Sequence, residues 1–259
     1  MARSAHFQNQ LKAILAQDTP PILFAGRLKS GNTWLRFLIY NYYNLLYNKA
    51  DKTLTYHELN AIQHDEIGDP KPIKGPKAGF PYIVRTHMSY TPHFKGIDKG
   101  IYIYRNPLDT LVSAYHFHKN HQNPVDFLND LNAYVLHNLV LWEVHVYEYR
   151  KSKQFISVSY EALQADAEKE LARIINYLGD TYVPEIGVKS VALSSFNNIR
   201  KMGRNVGQAY GNGGKDFKGE FTRKGKVGGY MDELKPETIQ QAESFLKKHG
   251  LGSVDYFVS

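Results

Sequence analysis

The stretch LFAGRLKSGNTWLRFL, Leu23 to Leu38, joins a short apolar run to an aromatic and apolar run through a turn built of Gly, Lys, Ser and Asn. It has the layout of a phosphate-binding loop between a strand and a helix, where unpaired backbone N–H groups and the positive end of the helix dipole converge on an anion. Gly26 and Gly31 keep the spacing of the nucleoside-triphosphate pattern G-x-x-x-x-G-K-[ST], and Thr33 keeps its hydroxyl. Asn32 stands where that pattern has lysine, and the loop's lysine, Lys29, comes earlier. Taken alone, the turn also reads as an ordinary strand-to-helix connection capped by Ser30 or Asn32.

Outward from this loop, the runs ILFA (22–25), YIV (82–84), IYIY (101–104) and FISVSY (155–160) read as buried parallel strands alternating with helices. Asn41, Asn44 and Asn48 put one polar stripe on a mostly buried helix after the loop. Asn106 caps a helix that starts at Pro107, with Asp109 in its first turn. Residues 126–150 and 161–179 carry two further helical patterns, the second ending at Gly179. This pattern predicts a single α/β domain in three layers, a central parallel sheet flanked by helices in the manner of P-loop NTPases, with ligands at the carboxyl ends of the strands. Residues 1–20 form an N-terminal helical extension to this domain. Two segments read as functional loops: 64–82, with four prolines and three glycines, and 211–230, glycine-rich and basic.

With 259 residues, 42% of them hydrophobic, the chain can bury a large core. It has no cysteine, hence no disulfide framework or thiolate metal site, and no signal peptide or membrane-spanning run is evident, which fits a cytoplasmic protein. A formal charge of +7 implies anionic ligands. Basic residues recur beside glycines and strand ends rather than in blocks, and no nucleic-acid module is visible, so a small multiply charged ligand is expected and nucleic acid is not. The histidines of HFHKNH (116–121) point to different sides of a helix without a completing carboxylate, and no metal is expected.

Read together, four motifs resemble those of the cytosolic-type sulfotransferases, which transfer the sulfuryl group of 3′-phosphoadenosine 5′-phosphosulfate (PAPS). KSGNTW (29–34) is similar to that family's 5′-phosphosulfate loop, RTHMSYTP (85–92) to its catalytic-histidine segment, YRNPLDTLVSAYHF (104–117) to its 3′-phosphate segment, and FTRKGKVGGY (221–230) to its C-terminal cofactor loop. The resemblance implies PAPS as co-substrate without a metal, and an acceptor hydroxyl on a small molecule, lipid or glycan. It makes His87 the general base and gives Lys29 the leaving phosphate, with Ser30, Gly31, Asn32 and Thr33 wrapping that phosphate and Trp34 stacking on adenine. Arg85 stands where the family has a lysine thought to steady the sulfuryl group. Arg105 and Ser113, joined by Arg223, Lys224 and Gly225, would bind the 3′-phosphate. Tyr160 matches a tyrosine near the adenine and Ser195 a hydroxyl near the 3′-phosphate. Leu28 replaces the family's proline before the loop lysine, and GGY (228–230) replaces G-D-W. The rivals are an ATP-dependent P-loop kinase, which needs a lysine after Gly31, and a sulfotransferase-like module that binds without turnover.

Overall fold

In the first strand, β1 (Ile22–Gly26), Leu23 and Ala25 point to one side and Phe24 to the other, and all three are buried. A strand covered on both faces needs helices above and below it. The computed structural model, which describes residues 2–48, 52–63, 65–120, 129–203 and 224–249, supplies them. β1 lies between β2 (Ile83–Thr86) and β3 (Lys99–Tyr104), and β3 pairs with β4 (Phe155–Ser159), giving the all-parallel order β2-β1-β3-β4. Leu23, Ala25, Val84 and Tyr102 join the core under α1 (Ala2–Leu15), α4 (Pro107–Asn120), α5 (Leu131–Lys151) and α10 (Pro236–Lys248). Phe24, Ile83, Ile101, Ile103 and Val158 join the opposite core, which includes α2 (Asn32–Asn48), α3 (Tyr56–Ile62) and α7 (Ala167–Leu178). This is the expected three-layer α/β domain. The chain leaves β1 in one direction for β2 and returns across it to β3, so the loop after β1 lies at the point where strand order reverses, the usual ligand crevice of open α/β sheets.

The polar stripe of α2 fastens neighbouring segments. Asn41, fully buried, donates to Ser194 Oγ at 2.9 Å and accepts from Leu54 N at 2.9 Å. The expected cap at Asn106 is present, its Oδ1 accepting from Leu108 N at 2.9 Å and from Asp109 N at 3.2 Å.

Two expectations are corrected, and some helices are additional to those expected. The pattern over 161–179 is two helices, α6 (Tyr160–Ala165) and α7, because Asp166 turns its carboxylate back onto Lys169 N at 2.9 Å and starts a new helix. Gly179 ends the second with φ 103°. α5 begins at Leu131, not 126, with Asp130 accepting from Ala133 N at 2.7 Å, and residues 121–128 lie outside the described ones. Finally, α3, α8 (Pro184–Leu193) and α10 were not expected, although a capping box at Thr55 and Glu58 and prolines at the first turns of α8 and α10 mark their starts.

The described part of the 64–82 segment is organised by one buried carboxylate. Asp65 accepts from Lys74 N at 2.8 Å, from Gly75 N at 2.9 Å and from the Tyr82 hydroxyl at 2.9 Å. Beside it Glu66 forms a parallel bridge with Arg85, which adds a short extended edge to β2. Replacing Asp65 with alanine strands these donors, so urea unfolding should show a loss of about 2–3 kcal/mol, with early proteolytic cleavage inside 65–82.

Candidate active site

A cavity of about 620 Å³ runs across the carboxyl ends of the strands. Its middle is the loop after β1. Asn32 closes this loop by donating Nδ2 to Arg27 O at 2.9 Å, and Ser30 N donates to Arg27 O at 3.1 Å. The turn holds Lys29 in the left-handed region at φ 72°, a conformation costing roughly 1–3 kcal/mol for a residue with a Cβ. Gly31, at φ 99°, lies so close to Tyr160 that an added Cβ would come within 2.6 Å of its ring. The Lys29 ammonium sits 4.9 Å from the centre of the Phe117 ring. Ser30 is fully buried, and its Oγ has no hydrogen-bond partner among the described residues. A buried orphan hydroxyl beside the first-turn amides of α2 fits an anion held by this loop.

On the β3 and β4 side stands Arg105, mostly buried, at the end of β3. Its guanidinium lies 4.4 Å from the centre of the Tyr160 ring and donates to Lys226 O at 2.8 Å, while its Nε has no partner. Asp109 clasps the 224–230 segment to the start of α4, accepting from Gly228 N at 2.8 Å and from Tyr230 N at 3.1 Å, with Arg105 3.5 Å away. Tyr160 donates its hydroxyl to Gly225 O at 3.0 Å. Trp34 meets Tyr160 edge to face with ring centres 5.5 Å apart, and Phe196 and Ile199 line the same end, which leaves room for a flat heterocycle among aromatic and apolar side chains.

His87 follows β2 directly. Its Nδ1 lies 2.6 Å from Gly26 O, and since a carbonyl can only accept, Nδ1 carries the proton and Nε2 keeps its lone pair. The ring has surface open to the cavity but is enclosed by the cavity walls. This burial lowers its pKa below the ordinary 6.5, while Glu66 and the Gly26 bond pull the other way. Tyr149 donates its hydroxyl to Met88 O at 2.9 Å and holds the chain behind it. Beneath lies His145, against the Tyr102 hydroxyl at 3.0 Å, its pKa pushed down by burial to about 3. Arg85 does not stand open as a lone cation: it pairs with Glu66 at 2.7 Å.

Of the expected residues, the cavity brings together Lys29, Gly31, Asn32, Thr33, Trp34, Arg85, His87, Arg105, Ser113, Tyr160, Lys224 and Gly225, with Ser30 just behind the loop. Lys224 pairs with Glu233 at 2.9 Å. Ser195 is not in the lining; its Oγ faces Asn198 N at 3.4 Å at the start of α9 (Phe196–Gly203). Arg223 lies outside the described residues. The sequence reading missed Asp109 as a clasp, Gln164 and Phe196 at the aromatic end, and Arg36, Asn60, Gln63 and Glu66 beyond His87. Asp109 carries only the signal of a helix first turn, and Arg36 lies within an apolar and aromatic run and belongs to no motif. His116, one of the histidines of 116–121, is 2.6 Å from Glu233.

A model of the sulfotransferase domain family matches residues 19–252. Among curated relatives, human Sulfotransferase 2A1 is 28% identical over 85% of this chain and 79% of its own, and Cytosolic sulfotransferase 10 of Arabidopsis thaliana 23% identical over 90% and 78%. Among solved structures, retinol dehydratase in complex with androsterone and the inactive cofactor PAP matches with a TM-score of 0.72 at 19% identity, covering 98% of this chain and 87% of that one. A mouse sulfotransferase complexed with PAP matches with a TM-score of 0.65 at 22% identity, covering 96% and 90%. These structural likenesses bear out the P-loop-like fold.

Asp109→Ala should release the 224–230 segment while leaving the sheet intact. Amide exchange at Gly228 and Tyr230 should accelerate at least tenfold, with a loss of about 1–3 kcal/mol in global stability.

Proposed function

Because the chain belongs to the sulfotransferase domain family, we propose that it transfers the sulfuryl group of PAPS to an acceptor hydroxyl, with His87 as general base. The observation that carries this reading is the placement of His87. Its free Nε2 faces a cavity whose floor, at the end of the adjacent strand, is the Lys29 loop, and its Nδ1 is tied to the strand that feeds that loop.

The acceptor oxygen attacks sulfur as its proton passes to His87 Nε2. The bond between sulfur and the bridging oxygen breaks, and its electron pair goes to the 5′-phosphate. The products are a sulfate ester and adenosine 3′,5′-bisphosphate (PAP). The growing charge on the phosphate meets the Lys29 ammonium, the Ser30 and Thr33 hydroxyls and the first-turn amides of α2. Such transfer depends on positioning and charge stabilisation, which fixed cations can provide. Arg105 and Ser113, with Lys224 and Gly225, take the 3′-phosphate, a role we extend by family match to Arg223. The unpartnered Arg105 Nε fits a guanidinium with a donor to spare for phosphate oxygens. Adenine lies against Trp34, with Phe196 and Tyr160 around it. Ser195, whose Oγ faces Asn198 N at the start of α9, keeps its part near the 3′-phosphate in this reading by family match alone. Asn32, which replaces the kinase lysine, closes the loop through Arg27 O, and this supports the sulfuryl donor over ATP.

Arg85 departs most from the family pattern. Its charge is shared with Glu66, so we assign it a dual part: one edge of the guanidinium held by the carboxylate, and the unpartnered Nε left for a sulfuryl oxygen. We place the enzyme in the cytosol, in line with relatives named as cytosolic sulfotransferases; among the described residues no helix is long and apolar enough to cross a membrane.

PAP at a hundredfold excess over its Kd should stabilise the protein by about 2.7 kcal/mol, and ATP with Mg²⁺ by much less. Equal or reversed shifts in Tm would remove the donor assignment. His87→Ala should lower kcat by roughly 10²- to 10⁴-fold while PAP affinity stays within about twofold. In the unmodified enzyme, transfer requires neutral His87, and burial lowers its pKa. kcat/KM for the donor should therefore be flat through neutral pH and fall only on the acid side of 6.5. A midpoint well above 6.5 would sink this role for His87.

A further inference from the structure

The lateral order of the strands divides the cavity. The residues assigned to the nucleotide come from the loop after β1 and from the β3 and β4 side, so the acceptor is left the β2 side beyond His87. That side is walled by α3 and by 65–74, where the lining is Asn60, Gln63, Glu66, Asp69, Lys71 and Lys74, with Arg36 and Arg85 beneath. Pro72 is the apolar contribution of this segment.

The polar groups here are donor-heavy. Arg36 is buried and donates to the side-chain oxygens of Gln63 and, at 2.9 Å, Asn60, so both amide oxygens are occupied. Gln63 is also buried, and its Nε2 has no partner among the described residues. Glu66 is taken by Arg85 at 2.7 Å, and Asp69 has Lys71 at 3.5 Å. Lys74 has no carboxylate partner among the described residues, and its backbone is fixed by Asp65 at 2.8 Å. The carboxylates lining this side, Glu66 and Asp69, are thus already engaged by Arg85 and Lys71, which leaves Lys74 as a cation with no carboxylate partner among the described residues. An apolar alcohol placed here would strand these groups without water, and each stranded group carries a desolvation cost.

We propose, on the strength of the PAPS reading above, that the acceptor is a polar hydroxyl compound bearing its own anionic group, a carboxylate, phosphate or sulfate. Its hydroxyl lies at His87, its oxygens take the amide and guanidinium donors at the foot of α3, and its charge is met by Lys74 and Lys71. This sets the chain apart from retinol dehydratase, whose structures hold the apolar alcohols androsterone and retinol.

Isothermal titration in saturating PAP provides the test, with 4-nitrophenyl β-D-glucuronide, the neutral 4-nitrophenyl β-D-glucoside and 2-naphthol as probes. The glucuronide should bind at least tenfold more tightly than either of the others, and the margin should shrink as salt rises. The double variant Lys71→Ala/Lys74→Ala should abolish that margin, and an unchanged PAP-induced Tm shift would show that the variant is folded and its nucleotide end intact. A glucuronide that binds no better than the glucoside or 2-naphthol, or not at all, overturns the proposal while PAP binding stands. Failure of PAP itself to bind overturns the donor assignment and this proposal with it.

Discussion

The bond from His87 Nδ1 to the Gly26 carbonyl, 2.6 Å long, joins the ends of two neighbouring strands beside the cavity. It fixes the tautomer of the imidazole and aims Nε2. It also ties the residue proposed as base to the strand that launches the phosphate loop, so base and loop move as one rigid piece. An added Cβ on Gly26 would meet Asn32 Oδ1 at 2.4 Å and Ile103 O at 2.8 Å, which is why this position admits glycine alone. The sheet beneath, buried on both faces, supplies the stiffness such a constraint needs.

Around that pair, the site is assembled from opposite sides by carboxylates that are not themselves placed to react. Asp65 shapes the segment beyond β2 and Asp109 clasps the segment beyond β3. Each satisfies backbone N–H groups that would otherwise be left buried or loose. The cations of the cavity are therefore presented by a framework whose own negative charge is already committed. This permits a positively biased cleft without a collapse of its lysines and arginines onto stray acids.

The strands, the phosphate loop and the cap at Asn106 were legible because each rests on local chemistry: an apolar run, a glycine spacing, an amide reaching its own helix. The break at Asp166 was missed because periodicity carried the eye through a residue whose side chain competes with the helix backbone. Arg36 and Gln63 were illegible for another reason. Their role arises only when α2 and α3 meet, 27 residues apart in sequence, and neither residue sits in a motif. Asp109 is similar, since its partners come 119 and 121 positions later. Sequence spacing reports on what one element does, whereas these three act between elements.

That long reach has a consequence for how the molecule comes into being. The four described strands are complete by Ser159, yet Arg105 and Tyr160 receive their partners at Lys226 and Gly225 only after those later residues have been made. During synthesis the sheet can form well before the 224–230 segment is clasped, so the nascent protein passes through a stage with a formed scaffold and an open cleft. Closure of that end of the cavity thereby follows formation of the sheet rather than accompanying it.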